Sequence, residues 1–183
     1  MIRILTCAVL ILFICGCGIF RKEPYIKSSY FDIGSPAVQD VGGRRVLVAD
    51  VDASRPYLEK MVFRMSENRI ELDEYNRWSC SPADMLKKYL SLAYETGASN
   101  EKAVVCLLKA EIFQIEADMV KSSVKLIIQV SFEERSSGKP LFSKTYMQEV
   151  PVEKITGESF ARGAATAAAK ILEEITADIQ KSP

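Results

Sequence analysis

The chain has 183 residues, a length at which one domain is the rule, since chains usually divide only beyond about 250 to 300 residues. Its 24 basic residues balance 24 acidic ones, so no cationic excess exists to neutralise a phosphate backbone, and no nucleic-acid partner is expected. The sequence contains no histidine, which removes Ser-His-Asp and Cys-His catalysis and every imidazole-containing metal site.

Arg3 carries the only charge before residues 4–14, a run without a charged side chain. At about 1.5 Å per residue that run spans roughly 16 Å of helix, about half a bilayer core, which suits the apolar region of a signal peptide and is too short to cross a membrane. Ile14-Cys15-Gly16-Cys17 follows, with an aliphatic residue at minus three and a small residue at minus one of a cysteine. This is the pattern of a bacterial lipobox. The thiol becomes a diacylglyceryl thioether, and the peptidase that then cuts in front of it accepts only a small preceding residue. Gly16 meets that requirement for Cys17, whereas Cys15 would need cleavage after Ile14, and Cys7 comes before the apolar run is complete. Cys17 is therefore the expected lipidation site, with residues 1–16 as signal peptide; a plain secretory signal cleaved nearby is the alternative. Glycine rather than aspartate at position 18 points to the outer membrane, facing the periplasm. Residues 17–29 read as a lipidated tether that reaches at most about 40 Å when extended.

Residues 30–183 read as a single globular domain. Short strands are expected at 30–34 and 45–52, the latter rich in valine and bounded by Gly42-Gly43 and Ser54-Arg55-Pro56. Residues 61–65 and 70–73 flank the polar break Ser66-Glu67-Asn68-Arg69 and predict a β-hairpin. Ser81-Pro82-Ala83-Asp84 has the N-cap, the first-turn proline and the acid of a helix start, and Met85, Leu86, Tyr89, Leu90 and Ala93 recur at helical spacing until Gly97. Long strands are expected at 102–117 and 123–134. Residues 124, 126, 128, 130 and 132 are apolar on one face of the second, with Ile127 the exception on the other. In the first the apolar parity switches near Ile112, which predicts a bulge there. A further strand at 141–150 and an alanine-rich amphipathic helix at 157–179 complete the chain. The pattern predicts an α+β fold: a largely antiparallel sheet of six or seven strands with two helices packed on one face.

Nothing in this pattern names a reaction. Glu71 and Asp73 share a strand face, where a solvated surface is the ordinary role for acids. Beyond the lipobox only Cys80 and Cys106 could ligate a metal through sulfur, too few for a structural zinc site. The same two thiols could form a disulfide, though Cys106 sits in an aliphatic run that suits a small buried hydrophobe and Cys80 precedes a helix. No catalytic residue, metal or cofactor is expected, and the chain is not expected to be an enzyme. What stands out is the cluster of polar and aromatic residues around the hairpin and its exit. Trp78, the sole tryptophan, either plugs the core beneath the first helix or anchors a partner, with Tyr75 beside it and Arg64 and Arg69 on the hairpin as rim charges.

Cys17, Tyr30-Phe31-Asp32-Ile33-Gly34, Arg55-Pro56-Tyr57-Leu58, Asn68-Arg69-Ile70-Glu71-Leu72 and Tyr75-Asn76-Arg77-Trp78 occur here in the order of a known pattern. In these residues the sequence resembles the ABC-type transport auxiliary lipoproteins, the PqiC-like proteins of the bacterial envelope. One departure is that Tyr57-Leu58 follow Pro56, where the family has a leucine before its arginine and proline. The resemblance implies a non-catalytic auxiliary component of an ABC or MCE-type system that moves lipids or other hydrophobic compounds. Its partners would be the membrane, through the anchor, and subunits of the transporter. A homo-oligomer is left open. The competing reading is a periplasmic carrier that holds an acyl chain between helices and sheet.

Overall fold

The structure, a computed structural model, describes residues 26–94 and 103–182. The signal peptide, Cys17, most of the tether and the expected helix stop at Gly97 lie outside the described residues.

Among the described residues seven strands form one sheet: β1 (Ser29–Phe31), β2 (Arg45–Ala53), β3 (Lys60–Ser66), β4 (Arg69–Trp78), β5 (Val105–Asp118), β6 (Ser123–Glu134) and β7 (Pro140–Pro151). Among the described residues two helices accompany them, α1 (Pro82–Tyr94) and α2 (Gly157–Lys181). The fold is α+β and most of the strand pairing is antiparallel, as expected, but part of it is parallel. β3–β4, β5–β6 and β6–β7 are antiparallel, whereas β1–β4, β2–β5 and β3–β5 are parallel, so the sheet is mixed. The reason lies in β5, whose one edge is shared: β2 pairs along its first half and β3 along its last residues. Both enter from the amino-terminal half of the chain in the same direction as β5. Between them the β5–β6 register shifts at Ile112/Gln114, the bulge that the parity switch predicts.

Alternation then assigns the faces. Val124, Leu126, Ile128, Val130 and Phe132 of β6 are buried under the helices, while Ile127 lies on the other face opposite Met147. α1 begins where expected: Ser81 Oγ accepts the Asp84 backbone N–H at 3.1 Å and donates to its carboxylate at 2.6 Å. At the start of α2, Thr156 and Ser159 exchange backbone and side-chain bonds as a capping box. α1 packs on β2 and α2 on β6 and β7. The helices meet where the Tyr94 hydroxyl lies 3.1 Å from Thr176 Oγ1, which sets them side by side over the same core.

The small residues of α2 bring it close to the sheet. A Cβ on Gly163 would lie 2.7 Å from Val124 Cγ2, and one on Gly157 would lie 2.7 Å from Asn76 Oδ1 and 2.9 Å from the Phe31 ring. α2 thus runs the length of the body, from β1 and β4 at its start to Arg44 at its end, where the guanidinium bonds the carbonyls of Ile179 and Ser182.

Candidate functional site

The β3–β4 hairpin turns at Glu67-Asn68, and β4 then departs from its partner. Val62 faces Leu72, yet Lys60 faces Arg77, so residues 73–76 bulge away from β3. The Asp73 side chain holds that bulge: Oδ1 accepts the Tyr75 N–H at 2.7 Å and the Asn76 N–H at 2.8 Å, and Oδ2 accepts from Asn76 Nδ2 at 2.8 Å. Burial pushes the Asp73 carboxyl up, but these three donors outweigh it and hold it below its usual value. The bulge turns Tyr75 outward, 46 % exposed. Beyond it β1 covers only Asn76, Arg77 and Trp78.

The four residues named from the sequence separate. Trp78 is 2 % exposed and meets Phe160 of α2 edge to face, centroids 5.2 Å apart, with Phe63 on the same ring at 5.6 Å. It is a core residue, so its reading as an exposed partner anchor is corrected. Arg64 is also committed internally. Its Nε and Nη2 donate to Glu116 at 2.6 and 2.9 Å, and Nη1 donates to the Glu67 carbonyl at 2.8 Å, which ties the hairpin turn to β5. Arg69, paired with Glu71, and Tyr75 remain on the surface.

Sequence reasoning missed the cluster around Glu116. This carboxylate is 1 % exposed and accepts from Arg64, from the Tyr57 hydroxyl at 2.6 Å and from Gln114 Nε2 at 2.7 Å. Desolvation raises its pKa, but the donors prevail and hold it below the ordinary carboxylate value. The phenol of Tyr57 is pushed up by burial and by its bond to Glu116. Each Glu116 oxygen accepts two hydrogen bonds from donors within the protein, the arrangement of a structural anchor. The only available signal was parity: after the bulge Ile115 and Ala117 face the core, which puts Glu116 and Gln114 together on the other side.

Beside Tyr75 lies an open groove of about 380 Å³ with Phe63, Met65, Leu72, Met119 and Ile155 in its lining. Of its three acids, Glu74 pairs with Lys60 at 2.6 Å and Glu71 with Arg69, while Asp73 accepts only the neutral donors of Tyr75 and Asn76. A second groove of about 490 Å³ lies between the β7–α2 connection and the first turns of α2, lined by Lys154, Thr156, Ser159 and Arg162. Among the described residues no group of three acidic or cysteine side chains is arranged to hold a metal ion. Cys80 is exposed and Cys106 buried, and both are free thiols.

The crystal structure of protein XCC0632 from Xanthomonas campestris, described as belonging to family-model DUF330, superposes with a TM-score of 0.69, covering 80% of this chain and 92% of that one at 15% identity. These two chains share a fold. The crystal structure of an uncharacterized protein superposes with a TM-score of 0.63 at 14% identity, over 82% of this chain and 99% of that one. No protein-family model matches the chain, and no curated protein shows significant similarity to it.

Proposed function

We propose that the chain is a periplasmic lipoprotein, held at the outer membrane through acylated Cys17, that acts as a non-catalytic auxiliary component of an ABC or MCE-type system moving lipids or other hydrophobic compounds. Support comes from the lipobox, the short tether, the order of residues shared with the auxiliary lipoproteins, and a buried carboxylate, Glu116, whose oxygens are all occupied by donors of the protein itself.

The observation that favours this reading over an acyl-chain carrier is the contact between α2 and β6. A methyl group added at Gly163 would already collide with Val124, and Phe160, Ala164, Ala168, Ile171 and Ile175 are buried along the same helix. The layer that a carrier would open around an acyl chain is filled by side chains.

Two measurements test the proposal. Metabolic labelling with a radioactive fatty acid marks the wild type and not Cys17→Ala; equal labelling of both refutes the anchor. Crosslinking in intact cells followed by purification recovers a permease or MCE-type subunit in stoichiometric amount. Recovery of a tightly held free lipid instead, seen by mass spectrometry of gently extracted protein, favours the carrier.

A further inference from the structure

Three connections lie at one end of the sheet: the β3–β4 turn, the β5–β6 turn, and the β7–α2 segment, whose Val152 N–H bonds the Ser122 carbonyl. The β5–β6 turn exposes two consecutive apolar residues, Met119 at 41 % and Val120 at 72 %. Their exposure is built in. Asp118 Oδ1 accepts the N–H groups of Val120 and Lys121, both at 2.9 Å, and Met119 N–H bonds the Arg64 carbonyl at 2.9 Å, so the tip is held by the Asp118 carboxylate and by β3. Leu72, Tyr75 and Ile155 line the adjoining groove with Met119.

The chain enters the body from this same end. β1 runs parallel to β4, with Ser29 opposite Asn76, so its first residue lies on the side of Tyr75 and the turns. From Cys17 to the first described residue, Ile26, the chain reaches at most about 30 Å. α2 alone, at about 1.5 Å per residue over its 25 residues, is roughly 37 Å long and runs from this end to the far one. Only at full stretch does the whole tether to Ser29 match that length, and as a flexible chain of a dozen residues it spans roughly 20 Å, so the end it joins stays nearest the membrane.

We propose that this end rests on the lipid bilayer, with Met119 and Val120 inserted among the headgroups and Leu72, Tyr75 and Ile155 against the surface. The proposal rests on the reading of Cys17 as the membrane anchor. The occupant is lipid because the anchoring chain leads here and because the charges around the tip and its groove, Lys121 and Lys154 with Glu71, Asp73, Glu74, Asp118 and Glu153, are of both signs and form no cationic patch. Contact is therefore by burial of apolar side chains and does not require anionic lipid. A transporter subunit then has the far end and the helix-free face of the sheet available.

The test uses the chain from residue 17 onward carrying Cys80→Ser, coupled through the Cys17 thiol to a maleimide-bearing lipid in phosphatidylcholine vesicles, with Val120→Trp or Ser137→Trp added. Ser137 lies in the β6–β7 turn at the opposite end, and the buried Trp78 contributes the same background to both proteins. When brominated phosphatidylcholine replaces the ordinary lipid, the added emission of Val120→Trp falls by roughly half or more and that of Ser137→Trp is unchanged. Equal emission of Val120→Trp in both lipids overturns the proposal and leaves this end to a protein partner. Because the tether is chemical, this result is independent of whether the bacterium acylates Cys17, which fatty-acid labelling reads separately.

Discussion

Arg64 of β3 clamps Glu116 of β5 with two hydrogen bonds, and it does so where the two strands share only their last pairs, Phe63 with Ala117 and Arg64 with Asp118. The side chains thus extend a junction that the backbone makes briefly. Arg64→Ala leaves a buried carboxylate without its cation, for which the usual cost is about 3 to 5 kcal/mol. The lower end is expected, because the Arg64 side chain is 26% exposed and Tyr57 and Gln114 still donate to Glu116. Urea denaturation of the two proteins measures the difference.

The same carboxylate sets a pH dependence. Its folded pKa lies below the ordinary value of 4.5, so the stability it contributes is complete above that pH and is lost as the pH falls through the lower, folded value. Melting temperatures of the wild type and Glu116→Gln, measured from neutral pH downward, should differ constantly until about pH 4.5 and converge below it. A constant gap down to the acid limit would contradict this assignment.

Gly163→Ala adds a methyl group to a helix, which by propensity alone gains about 1 kcal/mol. The β-branched Val124 it would strike is fully buried in a strand paired on both sides, so overpacking costing about 1 to 3 kcal/mol wins and the variant melts lower. Adding Val124→Ala should recover part of the loss, a positive coupling in a double-mutant cycle.

Trp78→Ala should cost about 3 to 5 kcal/mol, because it empties the space between Phe160 and the sheet. Tyr75→Ala, at the outward bulge, should leave the melting temperature nearly unchanged. Thermal scans of the two variants side by side check the separation of core and surface at this hairpin exit.

The two body thiols should differ in reactivity. Cys80 reacts with a thiol reagent in the folded protein, whereas Cys106, buried and with its pKa raised by desolvation, reacts only after denaturant is added. Prompt reaction of both would show that the first half of β5 opens.

β6 was legible at its observed bounds because it is buried on one face and alternates with period two. The bulge in β5 was legible because it reverses that alternation in mid-strand. β4 was expected to stop at residue 73 and instead continues to Trp78, since Asp73 bends the chain without ending the strand. β1 is shorter than expected: Asp32 Oδ1 accepts the Gly34 N–H at 2.8 Å and turns the chain out of the sheet. The mixed sheet was not legible, because periodicity reports which face a residue takes and carries no information on which strand lies beside it. The fate of Trp78 depended on Phe160, far along the chain, and that of Glu116 on Tyr57 and Arg64, more than fifty residues before it. Contacts of that kind come from tertiary packing.

The shared edge of β5 also imposes an order of events. β5, β6 and β7 pair with immediate neighbours in sequence, whereas β2 and β3 are synthesised earlier and have no parallel partner until β5 arrives. A chain that emerges amino terminus first therefore carries unpaired, valine-rich β2 through the interval before the carboxy-terminal half is complete. During that interval the nascent protein presents a sticky strand to its surroundings, and its yield depends on being kept apart from its own copies until β5 arrives.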